Sequence, residues 1–286
     1  MRDKSLLSIN IKGHLMKLDV AKVMGILNVT PDSFYDGGRY TEEDRIRNRI
    51  IQIVEEGADI IDVGGCSTRP GANLLSLEEE WARLSPVLKL ISEIAPEIPV
   101  SVDTFRAEIA CRSVEEFGIA LINDISGGTL DPEMWETVAK LHVPYVLMHM
   151  RGNPMTMQSE CKYEDVTAEV IKDLSWKIHE LHLLGVCDVI VDPGFGFAKN
   201  REQNFILLNH LDEFCKMGYP ILVGVSRKSM IAKTLGCSAD ESLAGTIALD
   251  AIALEKGADI VRVHDVKAAV DTVKLIAEMR KVSNSK

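Results

Sequence analysis

Eight short apolar runs, each rich in β-branched residues, alternate with segments of helical spacing along nearly the whole chain. This alternation predicts parallel strands joined by crossover helices. Strands that are apolar throughout are buried on both faces, as barrel strands are. Eight such units in 286 residues therefore predict a (β/α)₈ TIM barrel. The predicted strands are residues 22–30, 59–65, 99–104, 120–126, 144–150, 189–195, 220–226 and 259–265.

A weak internal repeat supports the same architecture. The segments EEGADIIDVGG, EFGIALINDIS, LLGVCDVIVDPG and EKGADIVRVHD share a helix end, a glycine and an apolar strand that finishes in polar residues. The glycine is expected in the left-handed conformation that closes a helix. A doubly wound open sheet is the alternative, but eight equivalent units without a GxGxxG motif after the first strand favour the barrel.

Three further segments complete the predicted organisation. Residues 8–18 are predicted to form a short N-terminal hairpin that covers the bottom of the barrel. Residues 41–56 are predicted to be helical, with Thr41 and Asp44 as a capping pair. Residues 266–282 are predicted to form the last helix, and the whole chain, 1–286, is one domain with the barrel proper at about 22–282. The apolar positions of that last helix are Val270, Val273, Leu275 and Ile276.

Charge and composition restrict the partners. The net charge of −11 disfavours nucleic acid and anionic membranes, because both would be repelled. No apolar run reaches the length of about 18 residues that spans a bilayer, and the first residues lack a signal-peptide hydrophobic region. The six cysteines contain no CxxC pair, which indicates a reducing compartment and argues against a structural zinc site. We therefore expect a cytoplasmic protein that needs a local basic pocket for any anionic substrate.

Every predicted strand ends in hydrogen-bonding or charged side chains. In a (β/α)₈ barrel the active site lies at these carboxyl ends, so the set predicts a polar pocket at the mouth. Helix capping or a loop ion pair is the plainer interpretation for Asp124, Ser126 and Asp265. The strand-end residues are Asn28, Thr30, Asp62, Asp103, Asn123, Asp124, Met148, His149, Asp192, Ser226, Arg227, Lys228, Arg262, His264 and Asp265.

Two subsets of polar residues predict different chemistry. Cationic and imidazole side chains are expected to bind a dianionic group or a diphosphate, although Lys199 or Arg227 alone has surface charge as an alternative. An acceptor-rich set, expected on the opposite side, suits a planar heterocycle with several N–H donors, and its alternative is an internal salt-bridge network. The first set is Arg69, Lys199, Arg227, Lys228, Arg262 and His264. The second is Asp62, Asp103, Asn123 and Asp192.

The connections after strands one and two are long, polar and punctuated by glycine and proline. TPDSFYDGGRY and CSTRPGANLLS are predicted to be mobile lids over the mouth. At the start of the first, Asn28 with Asp32 nearby offers oxygen ligands for a Mg²⁺ ion that substrate phosphates would mainly hold.

These motifs together resemble the dihydropteroate synthase family. MGILNVTPDSFYDGG and GADIIDVGGCSTRPG are similar to its two signature loops, and SVDT, IND, DPGFGF, SRKS and RVHD follow in the family's order, so the resemblance covers residues 22–266. It implies a pterin-binding TIM barrel that condenses 6-hydroxymethyl-7,8-dihydropterin diphosphate with 4-aminobenzoate. It also implies a Mg²⁺ cofactor, a role in folate biosynthesis and a homodimer formed through the later barrel helices.

The resemblance implies a role for each matching residue. For the pterin these are Asp103, Asn123, Met148, Asp192 and Lys228. For the diphosphate they are Asn28, Thr68, Arg69, Arg262 and His264, with Asn28 also on the metal. For 4-aminobenzoate, where sulfonamides would compete, they are Phe34, Asp36, Thr68, Arg69, Pro70, Phe197 and Ser229. The residues expected to take part in catalysis are Asp103, Lys228, Arg262 and His264.

The chemistry needs no covalent nucleophile. A pterin CH₂–O–diphosphate ionises because the ring stabilises the developing cation, and the weakly basic amine then attacks the methylene carbon.

Three residues depart from the family pattern: Cys66 stands where an acid is common, Ala198 where glycine is usual, and Tyr35 where a small residue is usual. Cys66 is not expected to act as a nucleophile. The alternatives are a pterin-dependent methyltransferase and a non-catalytic pterin-binding barrel.

Overall fold

The computed structural model describes residues 7–29, 42–66 and 75–283. Two short antiparallel strands, β1 (Ser8–Ile11) and β2 (His14–Lys17), precede the main sheet. The strands of that sheet are β3 (Lys22–Asn28), β4 (Ile60–Gly64), β5 (Val100–Asp103), β6 (Leu121–Asp124), β7 (Tyr145–Met148), β8 (Val189–Asp192), β9 (Leu222–Val223) and β10 (Ile260–Val263). The helices are α1 (Glu42–Glu55), α2 (Leu77–Ile94), α3 (Ala107–Phe117), α4 (Met134–Leu141), α5 (Val166–Leu183), α6 (Arg201–Asn209), α7 (Leu211–Phe214), α8 (Ser229–Leu235), α9 (Leu243–Glu255) and α10 (Val266–Ser283).

The eight parallel strands form a closed barrel. Their order is β8-β7-β6-β5-β4-β3-β10-β9, and every neighbouring pair is parallel. A parallel bridge between Val191 and Ile221 joins the two ends of this row, and the Val191 N–H donates to the Pro220 carbonyl at 2.8 Å. The predicted (β/α)₈ barrel is confirmed, and the open sheet is excluded because the first and last strands of the row are bonded.

The strands are shorter than the predicted apolar runs. The difference is largest for residues 220–226, of which only Leu222 and Val223 form β9. The chain then turns, and the Lys228 N–H donates to the Val225 carbonyl at 3.1 Å. The predicted run extended past the strand because Val225, in the turn that follows it, is as apolar and as buried as the strand residues.

The N-terminal hairpin covers the bottom of the barrel, as predicted. Ile9, Ile11 and Leu18 are buried against the inward-pointing apolar residues near the amino ends of the barrel strands. The Asn10 N–H also donates to the Asp188 carboxylate at 3.2 Å, just before β8. The covered layer consists of Met24, Ile60, Leu121, Val146, Ile190, Leu222 and Ile260.

Glycines close four of the helices that lead into strands. The glycines of the internal repeat have φ values of +90°, +62°, +89° and +111°, so each has the left-handed conformation that was expected of it. Only glycine adopts such values without steric strain, and only three to five residues therefore separate each of these helices from the next strand. These residues are Gly57, Gly118, Gly185 and Gly257.

Two details of the predicted helices come out differently. In α10, Val270, Val273 and Ile276 pack on the core, but Leu275 is 72% exposed, so its placement on the apolar face was wrong. The helix turns it about 100° from Ile276, onto the solvent side. Helix α1 begins at Glu42, and its predicted capping residue Thr41 lies outside the described residues. Across the described ranges, no helix combines the length and the apolar character that a membrane span requires.

Packing between the barrel and its helices leaves no room for a side chain at Gly25. A Cβ atom there would lie 2.8 Å from Ile53 Cγ2 on α1 and 2.9 Å from Val266 Cγ2 on α10.

We expect Gly25→Ala to lower the free energy of unfolding by about 1–3 kcal/mol, measured by chemical denaturation, because the added methyl group would overpack the core. Val266→Ala removes one of the two contacts, so the double variant should lose less than the sum of the single losses. Strict additivity would contradict this account.

Candidate functional site

Arg262 is the centre of the polar mouth. Its Nε donates to Asp62 Oδ2 at 2.6 Å, and its Nη2 donates to Asp103 Oδ2 at 2.8 Å. Asn123 Nδ2 lies 3.2 and 3.3 Å from the two Asp62 oxygens. The acceptor set and the cation are therefore in contact rather than on opposite sides, which corrects the prediction. In the closed barrel only β3 separates β10 from β4, which brings these side chains together. The alternative of an internal salt-bridge network therefore describes the arrangement.

Charge and burial act against each other in this network. Asp62 and Asp103 are both buried, and a buried carboxylate is stable only with charged or hydrogen-bonding partners. Burial raises the pKa of Asp103 to about 7; the Arg262 guanidinium opposes this shift and the Asp62 carboxylate adds to it. Burial alone would lower the pKa of Arg262, but the two carboxylates outweigh it and hold that pKa above its ordinary value. Arg262 is thus a permanent cation, whereas Asp103 titrates near neutrality.

Asp192 and Lys228 lie near Arg262, and the charge of each shifts the pKa of the other. Asp192 Oδ1 accepts the Gly194 N–H at 2.7 Å, and burial raises the pKa of Asp192 while Lys228 lowers it. Lys228 Nζ donates to the Phe195 carbonyl and lies 4.9 Å from the centroid of the Phe197 ring. Burial lowers the pKa of Lys228 to about 8, and the Asp192 carboxylate opposes that shift. Met148, buried beside Phe197 in a small apolar cluster, supplies an apolar surface next to these charges.

His264 stands at the end of β10 and is fixed by two elements. Its Nδ1 is 3.1 Å from Ser226 Oγ, and its backbone N–H donates to the same oxygen at 3.2 Å. Arg49 of α1 donates to the His264 carbonyl at 2.5 Å. Burial, with Arg262 and Arg227 adding to it, lowers the pKa of His264 to about 4. The imidazole is therefore neutral at neutral pH.

Known proteins match this chain over most of their length. The family described as pterin binding enzyme matches residues 24–264. The dihydropteroate synthase of Synechocystis sp. is 45% identical over 256 residues, which is 88% of each chain. That of Escherichia coli strain K12 is 44% identical over 268 residues, 93% of this chain and 94% of that protein. The chain belongs to the dihydropteroate synthase family.

Solved structures agree with this assignment. Yersinia pestis dihydropteroate synthase in a sulfonamide drug complex superposes with a TM-score of 0.90 at 38% identity, covering 96% of this chain and 100% of that one. The Xanthomonas albilineans enzyme with 4-aminobenzoic acid gives a TM-score of 0.88 at 39% identity, covering 96% and 98%. The resemblance inferred from the sequence motifs is confirmed.

Two cations predicted for the pocket have partners elsewhere. Arg227 forms a bidentate pair with Asp265, at 2.6 and 2.9 Å, and a third contact of 2.9 Å with Asp240. Lys199 is only 3% exposed, so surface charge does not describe it either. Its Nζ donates to the carbonyls of Gly194 and Phe197, both at 3.0 Å. Lys199 therefore holds the loop after β8, the loop that carries Phe197 into the site.

The plainer interpretation, an ion pair in a loop, is confirmed for Asp265, whereas Asp124 neither caps a helix nor forms an ion pair with any residue that the structure describes. Asp124 accepts from Ser126, at 2.7 Å from both its N–H and its hydroxyl, and from the Tyr145 hydroxyl at 2.7 Å. These bonds make it a structural anchor of the turn after β6. Asp265 is likewise occupied by Arg227. Neither carboxylate faces the pocket as a free acceptor.

Some site residues were not singled out from the sequence. Arg106 forms an ion pair with Glu80 and donates to the Leu75 carbonyl, which connects the end of the second long loop to the strand that carries Asp103. The Thr104 hydroxyl donates to Glu80 at 2.7 Å. Glu80 is fully buried on α2, and burial raises its pKa. A charged residue on the apolar face of a helix was the signal that could have revealed this anchor. Arg49, which donates to the His264 carbonyl, has no sequence pattern around it that indicated this role.

Several predicted residues fall in segments that the structure does not describe: Thr30, Asp32, Phe34, Tyr35, Asp36, Thr68, Arg69 and Pro70. Of the others, Asn28 ends β3 beside Gly64, and Ser229 begins α8. Burial raises the pKa of the Cys66 thiol, which agrees with the expectation that it is no nucleophile. Ala198 has a φ of +48°, which explains physically why glycine is usual at that position.

The role of Lys199 in holding the loop after β8 can be tested by removing its amino group while keeping the length of the side chain. We expect Lys199→Met to lower the free energy of unfolding by about 2–4 kcal/mol, because two buried carbonyls lose their donor. Amide hydrogens of residues 194–199 should exchange faster with deuterium. The control is Lys172→Met on α5, where the lysine is exposed and the change should be nearly neutral. Unchanged exchange in the Lys199 variant would show that the loop holds itself.

Proposed function

We propose that the mouth of this barrel condenses 6-hydroxymethyl-7,8-dihydropterin diphosphate with 4-aminobenzoate to give 7,8-dihydropteroate and diphosphate. This transferase reaction belongs to folate biosynthesis. The observation that carries the proposal is the buried row of Asp103, Asn123 and Asp192 beside Arg262 and Lys228, in a chain of the dihydropteroate synthase family.

The acceptor row suits the pterin. Its ring presents several N–H donors on one edge, and Asp103, Asn123 and Asp192 offer oxygens from the carboxyl ends of adjacent and nearby strands. Lys228 adds a donor for the ring oxygen and nitrogen. Met148 gives the flat face of the ring an apolar contact. These residues therefore form a slot: the three acceptors and Lys228 line its rim, and Met148 forms an apolar wall.

The diphosphate belongs with Arg262 and His264. Arg262 uses Nε and Nη2 for the two carboxylates, and its Nη1 has no hydrogen bond to any residue in the described ranges. The guanidinium can therefore bind a phosphate oxygen without releasing Asp62 or Asp103. His264 directly follows that strand, close enough to Arg262 for the guanidinium to help lower its pKa, and supplies a second donor. Thr68 and Arg69 are proposed to complete this subsite, on the resemblance alone.

A Mg²⁺ ion fits the donors only if the substrate supplies most of its ligands. Among the described residues no group of three or more His, Cys, Asp or Glu side chains could hold a metal ion. The amide oxygen of Asn28, at the end of β3, is the hard oxygen ligand that this ion accepts. We propose Asn28 as its protein ligand. When bound, the ion neutralises negative charge on the departing diphosphate.

The residues of the chain then act by binding and by excluding water. Arg262 and His264 stabilise the charge that grows on the diphosphate as the methylene C–O bond breaks and the oxygen keeps the electron pair. The nitrogen of 4-aminobenzoate uses its lone pair to form the new C–N bond and afterwards releases a proton to solvent. Phe197 and Ser229, which flank Lys228, are proposed to hold this amine with Phe34, Asp36, Thr68, Arg69 and Pro70. Sulfonamides would compete at the same place, and a sulfonamide is bound in the Yersinia pestis complex.

Quaternary structure and location are part of the proposal. Leu243 and Ile252 of α9 and Leu275 and Met279 of α10 are partly or largely exposed, and pairing these later helices in a homodimer would bury them. All six cysteines are free thiols, which suits the reducing cytoplasm.

The assay is diphosphate release from the pterin diphosphate, with Mg²⁺ or with chelator, and with or without 4-aminobenzoate. We expect release that depends on both the metal and the amine. Lys228→Ala and Asp192→Asn should each lower kcat/KM by about 10- to 100-fold, because each removes a hydrogen bond to a charged group. Lys233→Ala, at an exposed lysine in the helix that follows Lys228, is the control and should change little. Pterin binding without amine-dependent release would favour a methyltransferase or a binding protein instead.

Asp103 predicts a pH dependence of pterin binding. Its pKa near 7 means that the carboxylate, the form that accepts N–H hydrogen bonds, is lost as the pH falls below 7. Affinity for 6-hydroxymethylpterin, measured by calorimetry, should therefore rise with pH through about 7, by up to tenfold per pH unit below that point. In Asp103→Asn this inflection should be absent. A wild-type profile that is flat between pH 6 and 8 would contradict the account.

A further inference from the structure

We infer that Ser226 is a positioning residue that fixes the tautomer of His264, so that Nε2–H, and not a bare Nε2 lone pair, faces the diphosphate. The use of that hydrogen by a diphosphate rests on the proposed function. The tautomer itself rests on the hydrogen bonds alone.

The argument begins with the Ser226 hydroxyl. Ser226 is 5% exposed, and its hydroxyl oxygen accepts the backbone N–H of His264 at 3.2 Å. A backbone N–H can only donate, so the oxygen is the acceptor in that bond. The hydroxyl hydrogen then needs an acceptor of its own. Within the described residues, His264 Nδ1 at 3.1 Å is the one available partner.

The direction of this second bond decides the tautomer. If Nδ1 carried the hydrogen, Ser226 Oγ would accept two hydrogen bonds and its own buried hydrogen would have none, which is costly. With Nδ1 as acceptor, the neutral ring must carry its hydrogen on Nε2. A doubly protonated ring would also place a hydrogen on Nδ1, and burial beside Arg262 and Arg227 disfavours that charge. The neutral Nε2–H form is the one that satisfies both groups.

The free side of the ring lies near Arg262. His264 is the first residue after β10, two positions beyond Arg262, and the Arg262 guanidinium lies close enough to help lower the pKa of the imidazole. Its Nε2 makes no hydrogen bond to any side chain or carbonyl that the structure describes. Arg49 fixes the His264 carbonyl, so the backbone cannot easily rotate the ring away. A donor held in place in this way stabilises a phosphate oxygen. In the other tautomer the Nε2 lone pair would face the lone pairs of the phosphate oxygen and repel them.

The tautomer can be measured directly on the whole protein. Long-range ¹H–¹⁵N correlation spectra at neutral pH distinguish Nδ1–H from Nε2–H imidazoles, and His264→Gln identifies the signals of this ring by their loss. We expect the Nε2–H pattern in the wild-type protein. A dominant Nδ1–H pattern would overturn the inference whether or not the protein has synthase activity.

Variants of Ser226 test its role. Ser226→Ala should convert His264 to a mixture of tautomers and raise KM for the pterin diphosphate by about 10-fold, with KM for 4-aminobenzoate nearly unchanged. Ser226→Thr keeps the hydroxyl and should restore the Nε2–H pattern. Ser113→Ala on α3 is the matched control, since its buried hydroxyl has no hydrogen-bond partner among the described residues. A Ser226→Ala protein that keeps a pure Nε2–H ring would overturn the role of Ser226.

The two proposals fail separately. An Nε2–H ring in a protein that releases no diphosphate with 4-aminobenzoate would refute the synthase reaction and leave the tautomer assignment standing. Synthase activity with an Nδ1–H ring would do the reverse.

Discussion

The ion pairs of Arg262 are the interaction on which the rest of the site depends. One guanidinium holds two buried carboxylates, Asp62 and Asp103, from two neighbouring strands. Without it the interior would contain uncompensated acids, and such groups either take up a proton or destabilise the fold. The same guanidinium keeps one nitrogen for a ligand. Arg262→Ala would therefore disturb Asp62 and Asp103 as well as the proposed diphosphate contact, which is the binding role that the resemblance implies for Arg262.

The barrel arranges these groups by a simple periodicity. Successive inward residues of a strand are two apart, so the residue two places after each buried bottom residue points into the mouth. Ile60 is followed in this way by Asp62, Leu121 by Asn123, Val146 by Met148, Ile190 by Asp192 and Ile260 by Arg262. The apolar layer and the polar layer above it are thus encoded in the same short runs. A hydrophobic lower layer excludes water from beneath the charges and makes each hydrogen bond above it more effective.

This periodicity is why so much could be predicted from the sequence. The eight runs, the closing glycines and the N-terminal hairpin gave the architecture, and the polar strand ends gave most of the pocket. What could not be predicted depends on contacts that leave no pattern in the chain. Lys199 binds carbonyls of its own loop, and Arg49 reaches the His264 carbonyl across 215 positions of sequence. Arg227 looked like a phosphate ligand until Asp265 and Asp240 were found beside it.

The hairpin at the bottom of the barrel limits the path by which substrates enter and products leave. Ile9, Ile11 and Leu18 close the amino end of the barrel, and the apolar layer above them fills its interior. Within the part of the chain that the structure describes, the pocket is therefore closed at the amino ends of the strands and opens at their carboxyl ends. Both substrates enter and both products leave by the same opening. Whichever molecule lies deepest must arrive before its neighbour and wait for that neighbour to depart.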